Sequence, residues 1–223
     1  MSVKLFFEAI FKFLLGVMLV GLLVFLPAGT IWFWNGWLFM AILFVPMFLA
    51  GIVMMIACPS LLKSRLGAKE KQKQQDLVVK FSGLMFIAGF VVAGLDFRFG
   101  WLSMPKGVVI GAAVAFLIAY LLYAEVMREN VYLSRTIQVQ EGQKVVDTGL
   151  YRIVRHPMYS VTVLLFLTIP LILGSVFALI PLCAYPFLIA VRIKHEEKLL
   201  AEELPGYTQY RQKVKYRLIP FIW

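Results

Sequence analysis

Between Phe13 and Leu62 the chain carries no Asp, Glu, Lys or Arg. Only 15% of its residues are charged, and 61% are hydrophobic. Soluble domains carry about 25% charged residues and about half apolar ones, so this is not the composition of a soluble fold. A bilayer core needs about 20 apolar residues per helix, and the first uncharged stretch is long enough for two. It is too long for a cleaved signal peptide, and further apolar runs follow. The 223 residues suit one compact bundle.

Cysteine and histidine are nearly missing. Cys58 and Cys183 lie far apart in or beside apolar segments, and His156 and His195 are the two histidines. That scarcity excludes a disulfide framework and a dedicated His/Cys metal site, so no metal is expected. Gly-rich phosphate loops, nucleophile elbows and paired His–Glu zinc signatures are absent too. The net charge of +10 is read as the Lys/Arg excess of cytoplasmic loops. Nucleic acid is not an expected partner, because the charges fall in loops between apolar runs.

The apolar runs predict four transmembrane helices, over about Phe13–Ile31, Leu38–Ala57, Leu77–Leu95 and Gly107–Met127. Trp32, Trp34 and Trp37 around Asn35 and Gly36 mark a turn at the bilayer surface, where Trp concentrates. Cys58–Lys80 reads as a basic cytoplasmic loop, with Lys63, Arg65, Lys69, Lys71, Lys73 and Lys80 against Glu70 and Asp76. Asp96–Lys106 reads as a short turn on the opposite side. Gly83, Gly89 and Gly94, with Gly107 and Gly111, permit close helix approach.

Residues 128–157 are too polar to span. Met158–Val191 is again uncharged and broken by Pro170, Gly174, Pro181 and Pro186, which predicts a helical hairpin turning near Leu173–Ser175. The fold class is therefore all-α. It is a polytopic transmembrane helical bundle, residues 1–127, followed by a C-terminal region, residues 128–223, that contains the hairpin 158–191. With the 58–80 loop inside, both termini and the 128–157 segment are inside as well. Those regions hold every Lys and Arg except Arg98 and Lys106. The crossings are then even in number, six if both hairpin helices span.

Ionisable residues set against apolar helices are candidates for function. Two clusters flank the hairpin, one from Gly149 to Tyr159 and one from Arg192 to Glu197. A hairpin brings its ends together, so the clusters should meet at the cytoplasmic surface. Arg192 and Glu196 lie four apart on one helical face, where an ordinary intrahelical ion pair is the simpler role. Arg155-His156-Pro157 equally suits the first turn of a helix with interfacial anchors.

Gly149, Tyr151, Arg155, His156, Pro157 and Tyr159, then the hairpin, then Glu196, Glu197 and Leu200, form an ordered pattern. With the tail Gly206-Tyr207-Thr208-Gln209-Tyr210, Val214 and Pro220, it resembles the isoprenylcysteine carboxyl methyltransferase family and its phospholipid methyltransferase relatives. The likeness covers about the last 90 residues, with Ser160 and Leu204-Pro205-Gly206 departing from the usual pattern. It implies a membrane-embedded methyltransferase using S-adenosyl-L-methionine. It assigns Tyr151, Arg155, His156, Pro157, Met158, Tyr159 and Glu196 to the cofactor pocket, together with Gln143, Lys144, Val145 and Val146. Arg192 would hold the substrate, and Arg192 and Glu196 would be the catalytic pair.

The cofactor's methyl group is electrophilic by itself, so positioning and exclusion of water suffice for transfer. A carboxylate acceptor is already ionised at neutral pH and needs no base. An amine or thiol would need one, and His156 or Glu196 would serve. The resemblance implies a hydrophobic or membrane-associated acceptor. Carboxyl O-methylation comes first, phospholipid N-methylation second and small-thiol methylation third. A membrane sterol-type reductase with a nicotinamide cofactor, a small transporter and a non-catalytic scaffold are the readings of other classes.

Overall fold

The computed structural model describes residues 3–66, 73–133 and 137–223. Lys69, Glu70 and Lys71 of the expected basic loop lie outside the described residues. The regular structure of the described residues is all helical, without strands. In order the helices are α1 (Val3–Ala28), α2 (Trp34–Ala57), α3 (Pro59–Leu66), α4 (Lys73–Phe99), α5 (Lys106–Glu129), α6 (Pro157–Leu173), α7 (Leu179–Leu182), α8 (Tyr185–Glu203) and α9 (Tyr207–Lys213). A single 3-10 turn, Gly149–Arg152, precedes α6.

Four helices are long and apolar enough to cross a membrane: α1, α2, and the segments Leu77–Phe99 of α4 and Lys106–Glu129 of α5. Their outer faces carry bare apolar side chains, with Leu26 74%, Ile56 77% and Leu121 73% exposed. Many such residues on four neighbouring helices far exceed the few hundred Å² of apolar patch that a soluble monomer shows. The chain is an integral membrane protein.

The inner faces explain the packing. On α5, Ala112, Ala113, Phe116, Ala119 and Val126 are buried, a spacing that repeats along one helical face. They join Val161, Leu165, Ile169 and Ile172 of α6 in one core. Phe33 and Phe97 stack with ring centroids 4.2 Å apart. Where α1 meets α4, a Cβ on Gly94 would stand 2.8 Å from the Val24 carbonyl oxygen and 2.9 Å from the Ala28 nitrogen. Only a residue without a side chain permits that contact, as small residues do between membrane helices. At Gly89 a Cβ would instead meet the tip of the Leu182 side chain, whereas Gly83, Gly107 and Gly111 face open space.

Several expected boundaries move. α1 begins before Phe13, and Trp34 and Trp37 sit in the first turn of α2 rather than in a loop. The expected 58–80 loop contains α3, started by Pro59, and α4 begins already at Lys73. α4 also runs through Asp96 to Phe99. Asp96 is 2% exposed and caps the helix end, its Oδ1 accepting from the Leu102 N–H at 3.2 Å. A charged residue at a helix terminus looks like a loop by composition, although here it closes the helix.

The hairpin turns at Gly174, whose φ of 79° is left-handed, a common way to end a helix. It returns through α7 before α8. α6 has 17 residues. At about 1.5 Å per residue it reaches roughly 25 Å, short of the ~30 Å hydrocarbon core. α8 does not stop at Val191 but carries the second polar cluster on to Glu203.

Candidate functional site

The two polar clusters meet. Pro157 opens α6 and His156 is its N-cap residue, so Arg155 and His156 are held at the helix entrance. The C-terminal segment runs alongside, accepting from the Arg155 N–H at Tyr216 O (2.8 Å) and from the His156 N–H at Arg217 O (2.9 Å). Opposite lies Glu197 of α8, 3% exposed. Its Oε1 accepts from Arg155 Nε at 2.6 Å and lies 3.3 Å from His156 Nε2; its Oε2 accepts from Arg217 Nε at 3.0 Å. Arg155 also donates from Nη1 to the Val214 and Lys215 carbonyls at 2.8 and 2.9 Å. Burial pushes the Glu197 carboxyl up, but the hydrogen bonds from His156, Arg155 and Arg217 outweigh it and hold the group at about 2. Glu197 is therefore the ionised hub that joins three segments.

One turn of chemistry away, Tyr159 links the charged residues that face the open side. Its hydroxyl donates to Glu196 Oε2 at 2.5 Å and accepts from Arg192 Nε at 2.9 Å. The His156 and Tyr159 rings stack at 5.8 Å. Arg192 and Glu196 thus share more than an intrahelical relation: a tyrosine from α6 ties both in place.

These groups form part of the wall of a cavity of about 850 Å³, part of it open to solvent. Of the residues expected from the sequence, Tyr151, Arg155, His156, Met158, Tyr159, Arg192, Glu196, Gln143, Lys144, Val145 and Val146 all line it. Pro157 does not; it is fully buried at the start of α6. Arg155 reaches the wall, but its side chain is committed to Glu197 and two carbonyls.

Sequence reasoning left out other parts of the wall. Asn130, at the end of α5, donates from Nδ2 to the Tyr151 hydroxyl at 2.9 Å. Tyr132 holds the 143–146 strip in place, its hydroxyl donating to the Gly142 carbonyl at 3.2 Å. From α9 and its approach come Leu204, Tyr207 and Tyr210, which form a small apolar cluster with Val214. Tyr210 donates to the Tyr151 carbonyl at 2.7 Å. The Tyr207 hydroxyl is buried with no partner among the described residues. The tyrosine-rich tail was visible in the sequence; that it folds back over the wall was not.

The cavity thus offers aromatic faces, apolar side chains, one carboxylate and a buried hydroxyl with spare hydrogen-bonding capacity. That set suits a large ligand with a flat aromatic part and a polar, cationic part. Among the described residues no cluster of His, Cys, Asp or Glu could hold a metal ion.

Residues 109–202 match the isoprenylcysteine carboxyl methyltransferase (ICMT) family. That is a family of methyltransferases, and the match together with the four apolar helices supports a membrane methyltransferase. The matched segment runs from α5 to α8 and contains both polar clusters, but not α1 to α4 or the α9 tyrosines. A comparison with curated proteins finds no match.

Proposed function

We propose that the cavity binds S-adenosyl-L-methionine and that the chain transfers its methyl group to the carboxylate of a hydrophobic, membrane-borne acceptor. The observation that carries this reading is the Arg192–Tyr159–Glu196 chain of hydrogen bonds in the wall, within a domain of the ICMT family. The cofactor supplies an electrophilic methyl group on a cationic sulfur. The residues present suit it: Glu196 for the ribose hydroxyls or the amino group, the tyrosine rings for adenine and the sulfonium, and the Tyr207 hydroxyl, without a partner among the described residues, for a further hydrogen bond.

In the transfer, an acceptor carboxylate oxygen forms the new O–C bond while the S–C bond breaks. The bonding pair stays on sulfur, so the acceptor loses its negative charge, the cofactor loses its positive charge, and no proton is released. No general base is therefore needed. Arg192, fixed through Nε by Tyr159, orients the carboxylate, a task that guanidinium geometry suits.

Phospholipid N-methylation is the second reading, with His156 or Glu196 taking the proton. The site, both termini and the segment 128–157 face the cytoplasm in this proposal, since Lys and Arg gather there. Reporter fusions at either end test that orientation. For the activity, the experiment is thermal stabilisation of the purified protein by S-adenosylhomocysteine, the product, against NADPH. Stabilisation by the first alone supports the reading; no shift at saturating ligand refutes it, and a shift with NADPH would favour a reductase. Transfer of labelled methyl to a prenylcysteine rather than to phosphatidylethanolamine then separates the two acceptors.

A further inference from the structure

The last turn of the chain, beyond the matched segment, carries apolar side chains that the bundle leaves uncovered. Leu218 is buried in the core, and Trp223 packs against the same core. Between them the chain swings outward, and Phe221 and Ile222 stand 87% and 76% exposed. Ile219 of this turn is exposed too, as is Ile153, which shares a groove with Phe221.

The turn is closed rather than loose. The Trp223 carbonyl oxygen accepts from the N–H groups of Arg217, Leu218 and Ile219 at 2.9, 2.9 and 3.1 Å. Within it Phe221 holds a φ of 66°, a left-handed conformation that is unfavourable for a bulky side chain. Its ring lies 5.3 Å from that of Tyr216. The fold thus fixes a large apolar side chain outward at a strained position. Strain of this kind is kept where a surface has a use, and clustered bare apolar residues mark a contact surface.

The position of the turn says what it meets. α6 carries no charge along its length. Ser160, in its first turn, shares a face with Val163, Leu164 and Leu167, whereas Val161 and Leu165 are buried. Leu164 is 40% exposed, so this face is the outward one, turned to lipid in a membrane helix. Ser160 Oγ donates to the Leu218 carbonyl at 2.6 Å. The turn therefore hangs from the foot of a lipid-facing stripe, where α6 enters the bilayer.

Charge completes the pattern. The groove beside the turn, of about 570 Å³ and open to solvent, is lined by Arg152, Lys213 and Lys215, with no carboxylate in its wall among the described residues. Asp147 lies near, taking Lys213 Nζ at 3.2 Å, which leaves the group cationic. Exposed apolar residues flanked by Lys and Arg are the composition of a surface that lies in the membrane interface.

We propose that the turn 219–222, with Arg152, Lys213 and Lys215, is a lipid-binding surface that docks on the anionic headgroups of the leaflet at this end of α6. Phe221 and Ile222 enter the acyl boundary, and the three cations hold lipid phosphates or carboxylates above them. The proposal rests on the membrane assignment and is independent of the cofactor reading.

The test reads depth in the full chain. Cys58→Ser and Cys183→Ser remove both native thiols, and Phe221→Cys then takes an environment-sensitive fluorophore. Ile222→Cys is labelled separately, so that a folding failure in one variant leaves the other. Glu202→Cys, near the far end of α8, is the control in water. Each is placed in phosphatidylcholine nanodiscs containing increasing fractions of phosphatidylserine that bears an acyl-chain quencher. The labels at 221 and 222 should be shielded from iodide and quenched by the lipid, and the label at 202 the reverse. Combining Arg152→Gln, Lys213→Gln and Lys215→Gln should raise the half-quenching phosphatidylserine fraction about fivefold or more, and salt should raise it in the parent chain. Labels at 221 and 222 that stay open to iodide and unquenched would overturn the proposal and leave the patch to a protein partner. A half-quenching fraction unmoved by the triple variant, or matched by quencher-bearing phosphatidylcholine, would overturn it as well.

Discussion

Tyr159 donates its hydroxyl proton to Glu196 across 2.5 Å. The two residues are far apart in sequence and lie on opposite arms of the hairpin, α6 and α8. The bond aims the carboxylate while leaving its side chain 24% exposed toward the cavity. The neighbouring Glu197 is 4% exposed by the same measure and satisfied by Arg155, His156 and Arg217. Two adjacent carboxylates therefore stand in different places, one facing the cavity and one holding the fold.

That division predicts opposite outcomes for the pair. Glu196→Gln should keep the protein folded and weaken S-adenosylhomocysteine binding about tenfold, the scale of a hydrogen bond to a charged group. Isothermal titration beside a thermal melt checks both halves. Unchanged affinity would remove Glu196 from the cofactor site.

Glu197→Gln should instead destabilise the protein by about 3–5 kcal/mol, because it leaves the buried Arg155 guanidinium without its counter-ion. The pH dependence has a definite sign. Folding depresses the Glu197 carboxyl from 4.5 to about 2. Its contribution is thus complete above the ordinary value and is lost as pH falls through that value toward the folded one. Thermal melts between about pH 6 and pH 3 should show a drop on acidification in the parent chain that is smaller in Glu197→Gln. Parallel pH curves would contradict the hub.

Tyr207→Phe removes a hydroxyl that has no partner among the described residues. The apo protein should lose no stability, since an unsatisfied buried group is deleted. Ligand affinity should fall severalfold, by about 1 kcal/mol. A stability loss with unchanged affinity would show that the hydroxyl serves the fold.

Gly94→Val tests the bundle far from the site. The added Cβ would meet backbone atoms of α1 at 2.8 and 2.9 Å, which cannot swing away as a flexible side chain can. The two helices must separate, with a cost of about 1–3 kcal/mol. Gly83→Val, facing open space, is the control and should melt with the parent chain.

Composition and order along the chain determined a great deal. Uncharged runs could only be membrane helices, because a bilayer cannot solvate bare backbone. The Gly149–Tyr159 and Arg192–Glu197 clusters had to approach because a hairpin joins them, and the residues that meet at Tyr159 were named on that ground with the family likeness. Local pattern was weaker at charged helix ends: Asp96 and Lys73 read as loop residues, although each belongs to α4.

Only the tertiary structure decided how the polar groups divide their work. Glu196 and Glu197 are indistinguishable as sequence neighbours. A rotation of about 100° per residue along α8 sends one to the cavity and the other to Arg155, His156 and Arg217. The same holds for Arg65, one cation among several in a basic stretch until α3 folds it against Tyr123. Burial and partners are properties of contacts between distant segments, and no window along the chain contains them.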